Sequence, residues 1–150
     1  MRAQTGFFAF QHRALGGLLA WGLSSIAASV PLLASRNPVL RHAGLQAATW
    51  GAIDALLAAG GRRGARRSIA RGSTDGVREA RRFRLILLVN AALDVGYIAG
   101  GVALLHGARG RAERAGMGVG VVPQGVFLLG YDLLLAWLAG PWARDEFEET

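Results

Sequence analysis

The chain contains no cysteine and no lysine. Without cysteine, disulfides, thiol nucleophiles and zinc–thiolate sites are excluded, and the redox compartment leaves no mark in the sequence. All seventeen basic residues are arginine, a bias that reflects a GC-rich genome more than physics. Histidine occurs only at His12, His42 and His106, with no ligand spacing among them, so no metal site is assigned and nothing asks for a cofactor. A further absence is positional. Four long apolar blocks hold no Arg, Lys or His between their ends.

What the chain does have is apolar sequence, 52% of its 150 residues against 18% charged, with a mean hydropathy of +0.31. The figures coexist because charges gather in loops and ends. A net charge of +7 could suggest nucleic acid, yet nine of the arginines fall between Gly60 and Leu85, between two apolar blocks. Arginine placed there sets membrane topology and meets anionic lipid headgroups. No nucleic-acid partner is expected. The expected partners are the lipid bilayer, anionic headgroups at the Arg-rich loop, and further copies of the chain in a homo-oligomer.

Residues 1–13, with Phe7, Phe8 and Phe10, read as an interfacial segment. The first span is residues 14–34, and its 21 apolar residues exceed the ~7–15 of a signal-peptide core, so an uncleaved anchor is expected despite a weak cleavage pattern at Ala27-Ala28-Ser29. Residues 35–42 form a polar turn around Asn37-Pro38. The second span, 43–60, is the shortest and least apolar, and Gly60-Gly61 ends it. The Arg-rich loop covers 61–83, with a break at Gly72 to Gly76, Asp75 as the cap of the next helix and Glu79 paired with Arg82. The third span, 84–105, sets 21 near-continuously apolar residues after Arg84. A Gly- and Arg-containing turn leads to the fourth, 118–140, with Trp137 and Trp142 as interface anchors. The acidic tail is 145–150.

The expectation is therefore an all-α bundle of four transmembrane helices forming a single membrane domain. The N-terminus, long loop and tail hold 2, 9 and 1 arginines and the other two loops 2 and 3, so twelve against five places both termini in the cytoplasm. The location expected is a bacterial inner membrane. Spans two and four share a slight parallel repeat, Gln46-x7-Asp54 and Gln124-x7-Asp132.

The functional content lies in polar residues inside these spans. Asn90, Asp94 and Tyr97 share one face of the third span, and Gln46, Trp50 and Asp54 share a stripe of the second. Measured from the Arg-rich ends, Asp54, Asp94 and Asp132 lie ~9, ~15 and ~12 Å deep at 1.5 Å per residue. All three could meet in one layer beside Asn90, Trp50 and Tyr131. Gln46, Gln124 and Tyr97 would form an outer approach roughly 20–24 Å in. With no fixed cation among them, the acids must be protonated, share protons with the amides, or receive a cation from outside, because burial disfavours the charged form. A proton- or cation-binding, transport-like site is one reading. The other is a hydrogen-bonded polar network that only holds the helices together, at about 0.6 kcal/mol per bond. The ridge Ala92, Gly96, Gly100 favours close helix packing, within the bundle or across a dimer. Trp21 reads as core or as a cation–π wall.

The strings Asn90-Ala-Ala-Leu-Asp94-Val-Gly-Tyr97-Ile98 and Gln124-Gly-Val-Phe127-Leu-Leu-Gly-Tyr131-Asp132, with Trp50-Gly51 before them, resemble an uncharacterised family of small four-span bacterial membrane proteins. The resemblance implies four membrane helices and no particular chemistry. It also implies Asn at position 54, where this chain has Asp54. In architecture alone the chain is similar to small multidrug-resistance exporters, without a shared motif. Tyr131-Asp132 is similar to half of an intramembrane aspartyl-protease site, but the Gly-x-Gly-Asp half is absent, so no catalytic residue is assigned.

Overall fold

A computed structural model describes residues 2–144; the acidic tail at 145–150 lies outside the described residues. Among those described the chain is all-helical, with no strand. The helices are α1 (Arg2–Leu33), α2 (Pro38–Ala70), α3 (Gly76–His106), α4 (Ala112–Leu138) and the short α5 (Gly140–Ala143). Three of them are long and apolar enough to cross a membrane: Gly6–Leu33, Gly76–His106 and Ala112–Leu138. The expectation of four such helices is met by three, because α2 carries polar side chains through its middle and arginines along its end.

The turns follow local chemistry. Pro38 opens α2 at the helix start, where its missing N–H costs nothing, and Asn37 caps it by accepting from the Val39 N–H at 2.9 Å. The turn at 35–42 is thus shorter than expected, with 38–42 already helical. The break after α2 falls at Gly72, whose φ of +60° suits a residue without Cβ. Asp75 takes the position before α3, but its carboxylate accepts from Arg78 at 2.6 Å instead of capping the backbone. That pair replaces the expected Glu79–Arg82 pair and is the one ion pair among the described residues.

Gly60-Gly61 does not end α2, which runs on to Ala70. Two glycines cost a helix about 1 kcal/mol each, yet here α2 lies on α1: a Cβ at Gly61 would come within 2.6 Å of Leu15. Tertiary packing outweighs the local cost. Most of the expected Arg-rich loop at 61–83 is therefore helix, 61–70 in α2 and 76–83 in α3, and only 71–75 link the two.

Packing pairs α1 with α2 and α3 with α4, and α4 also packs on α2. The α1–α2 crossing is made by backbone contact, since a Cβ at Gly51 would lie 2.6 Å from the Gly22 carbonyl. The apolar core gathers at the Arg-rich end, where Phe7, Phe8 and Ala14 of α1 meet Ala80, Phe83 and Leu87 of α3 and Leu135 to Ala143 of α4 and α5. Phe7 is only 1% exposed and meets Phe83 edge-on at 6.0 Å. The segment expected to lie at the interface is, in its aromatic part, core. Arginines tie this end together: Arg62 donates to the His12 carbonyl at 3.0 Å, and Arg81 to the Ala143 carbonyl at 2.8 Å.

Candidate functional site

Asp94 and Asp132 each stand on a buried stripe that repeats every seven residues, and Asp54 lies beside such a stripe. On α3 the stripe is Ala80, Leu87, Asp94, Gly101, and on α4 it is Gly118, Gly125, Asp132, Ala139. On α2, Asp54 sits between Gly51 and Ala58 of the stripe Gly44, Gly51, Ala58, Ala65. Helical periodicity therefore forces all three side chains inward. Asp54 and Asp94 are 4% exposed and Asp132 is 6%.

The three meet in one cavity of about 150 Å³. Six of the nine residues expected at the site line it: Trp50, Asp54, Asn90, Asp94, Tyr97 and Asp132. The remaining walls are Leu18, Ile53, Leu57, Leu93 and Leu128, so apolar side chains surround the acids. The carboxylates are close enough for Asp132 to feel the charge of both Asp54 and Asp94, and the Asn90 amide lies beside Asp132. Among the described residues no basic side chain lines the cavity. The nearest arginine along α2, Arg62, is eight residues away, ~12 Å of helix, and is turned to the His12 carbonyl. Oδ2 of Asp54 and Oδ2 of Asp94 are buried without a hydrogen-bond partner. Unpaired buried polar atoms cost about 1–3 kcal/mol each, so these two mark a place where the fold carries a cost.

The cavity has a side opening. α2 and α3 lie on opposite corners and do not pack along their length. They meet through Trp50 and Tyr97, whose rings touch edge-on at 4.9 Å. Tyr97 is 42% exposed, Leu93 53% and Leu57 63%, so the acids are reached between α2 and α3.

The three other expected residues lie elsewhere. Tyr131 does not line the cavity, although Asp132 is near enough to act on it by charge; its hydroxyl donates to the Ala14 carbonyl at 2.6 Å and its ring stacks on Phe127. Gln124 is 6% exposed and fully engaged with α1: Oε1 accepts from Trp21 Nε1 at 2.8 Å, and Nε2 donates to Ser25 Oγ at 3.1 Å. Gln46 is half-buried against Gly120 and reaches neither cavity nor Gln124. The outer approach expected from Gln46, Gln124 and Tyr97 is closed where Gln124 and Tyr97 meet Trp50 and Asp94, since the space between them is too tight for a water. Of the two Gln-x7-Asp pairs, Asp54 and Asp132 line one cavity, whereas Gln46 and Gln124 do not meet. Trp21 is neither plain core nor a cation–π wall, but a hydrogen-bond donor stacked on Phe127 at 3.7 Å. Ser25 and Trp21 stand four apart in α1, the one sequence signal that could have paired them with a buried amide.

Among the described residues no group of three or more His, Cys, Asp or Glu is placed to hold a metal ion. The arrangement can hold and share protons, since carboxyl groups and one amide are the only hydrogen-bonding groups inside it besides the rims of Trp50 and Tyr97. Comparison with characterised proteins and with solved structures finds no match. A family model does match, over residues 17–133, a stretch that contains all three acids, Trp50, Asn90 and Tyr97. The chain belongs to this family, DUF6992, a family of unknown function.

Proposed function

We propose that the protein is a four-span membrane bundle whose acidic cavity binds protons and is transport-like in action. The observation that carries this reading is the cavity itself: three buried acids, no basic side chain, and two carboxylate oxygens without a partner. Ionised together the three would repel across an apolar enclosure, so the site needs a proton or a cation to be stable. The lack of metal-holding geometry favours the proton. In proteoliposomes carrying a pH gradient, wild type should dissipate the gradient faster than Asp94→Asn. Equal rates would overturn the transport reading.

The fourth span in this proposal is the 43–60 segment of α2. Its polar residues lower its hydropathy, but Asp54 is buried and α2 packs along both α1 and α4, which are long enough to span. The Arg-rich end is the cytoplasmic one, with both termini there, in a bacterial inner membrane, and the whole chain is one membrane domain. Topology reporters at residues 70 and 110 should give opposite signals; cytoplasmic signals at both would remove the four-span topology.

The competing reading is a structural or partner-binding module. Asn90 beside Asp132 favours it, since an amide–acid pair can hold α3 to α4 without moving a proton. It expects Asp94→Asn to be silent in flux.

A further inference from the structure

A second cavity lies at the Arg-rich end, away from the acids. It holds about 400 Å³ between α1 and α2 and is lined by His12, Leu19, Ala59, Arg62, Arg63 and Arg66. We propose that this slot binds the phosphate headgroup of an anionic phospholipid, with the lipid's first apolar carbons running inward. The inference is independent of the acidic cavity and is narrower than a general attraction of lipids to the Arg-rich segment.

Charge, an unpaired ring nitrogen and shape support it together. Arg62, Arg63 and Arg66 have no carboxylate partner among the described residues, where the one ion pair is Asp75–Arg78. His12 lines the slot, and its buried Nε2 has no hydrogen-bond partner in the protein. The guanidinium groups would bind the phosphate oxygens, the geometry for which arginine is suited, and a small turn of a ring protonated at Nε2 would add a further donor. Arg62 is already positioned, because its Nη1 donates to the His12 carbonyl at 3.0 Å and crosses α1 where Gly16 has no side chain.

The shape distinguishes a lipid from a free anion. Along α2, Arg66 and Ala59 are seven residues apart, and along α1 so are His12 and Leu19. Two helical turns span ~10 Å, so the slot runs that far from its guanidinium mouth toward the membrane-spanning part of α1 and α2. Its inner walls, Leu19 and Ala59, offer nothing to a phosphate and suit a glycerol ester and acyl carbons. A free phosphate would occupy only the mouth.

The test is native mass spectrometry of the full chain with added phosphatidylglycerol, phosphatidylcholine or inorganic phosphate. Phosphatidylglycerol should stay bound, and phosphatidylcholine and inorganic phosphate should not displace it at equal concentration. Arg63→Gln with Arg66→Gln leaves the Arg62–His12 bond intact and should weaken binding by about thirtyfold. Arg67→Gln with Arg71→Gln removes the same charge outside the slot and should change it by no more than about threefold. Equal losses in the two pairs would mean diffuse attraction and overturn the site. Equal competition by inorganic phosphate would make it a free-anion site and overturn the lipid. Binding seen only after removal of residues 145–150 would assign the slot to the acidic tail and overturn the proposal.

Discussion

Replacing Gln124 by Leu keeps nearly the same volume and removes two interhelical hydrogen bonds at once. In the folded protein the amide accepts from Trp21 Nε1 at 2.8 Å and donates to Ser25 Oγ at 3.1 Å, at 6% exposure. Hydrogen bonds between membrane helices average about 0.6 kcal/mol and reach about 1.7. Ser25 can turn its hydroxyl back to a carbonyl of its own helix, so its loss falls at the low end. The indole N–H has no such recourse and is left unpaired, at about 1–3 kcal/mol. The sum predicts a loss of about 1–3.5 kcal/mol for Gln124→Leu. Trp21→Phe removes the same bond from the other side, and a double-mutant cycle should give a coupling of about 0.6–1.7 kcal/mol. Reversible unfolding in mixed micelles, followed by loss of helical circular dichroism, measures all four proteins. Proton flux should be unchanged in Gln124→Leu, because this side chain does not line the acidic cavity. A variant as stable as wild type, or one that loses flux while keeping stability, would refute the structural role given to Gln124.

Gly51→Leu should separate α1 from α2, because even its Cβ would lie 2.6 Å from the Gly22 carbonyl and 2.9 Å from Ser25 Cβ; a loss of about 3 kcal/mol or more is expected in the same unfolding assay. Phe7→Ala empties the best-buried aromatic position, 1% exposed, and should cost about 3–5 kcal/mol, read as a lower unfolding midpoint. Gly96 and Gly100 have nothing within 4 Å of an added Cβ, so their ridge faces away from the bundle. If it carries the proposed homo-oligomer, Gly96→Leu with Gly100→Leu should dissociate it to monomers by cross-linking in detergent while leaving the unfolding midpoint in place.

The layer of acids was legible in the sequence because helical rise alone fixes depth, and Asp54, Asp94 and Asp132 have similar distances from their Arg-rich ends. Tyr131 adjoins Asp132 in sequence and in charge, but its hydroxyl is taken by the Ala14 carbonyl of α1, a partner that no spacing within α4 could reveal. Depth also put Gln124 near Gln46, but depth says nothing about rotation, and Gln124 turns to α1. The continuation of α2 past Gly60-Gly61 goes with contact to Leu15, 46 residues from Gly61 in sequence, which local helix propensity cannot register. Phe7 and Phe8 looked interfacial because their partners on α3, α4 and α5 are distant in sequence. The side opening between α2 and α3 was invisible, since it depends on which helices fail to pack.

The central claim is that Asp54, Asp94 and Asp132 share a cavity that holds an exchangeable proton. Infrared spectroscopy of the protein in lipid reads this directly, through the carbonyl stretch of a protonated carboxylic acid. Wild type should show that band at neutral pH, and the triple variant Asp54→Asn, Asp94→Asn, Asp132→Asn should lack it. The band should fade as pH is raised and return when it is lowered. A neutral-pH spectrum in which wild type and the triple variant have the same carboxylic-acid band, or a band that no pH change moves, would contradict the account.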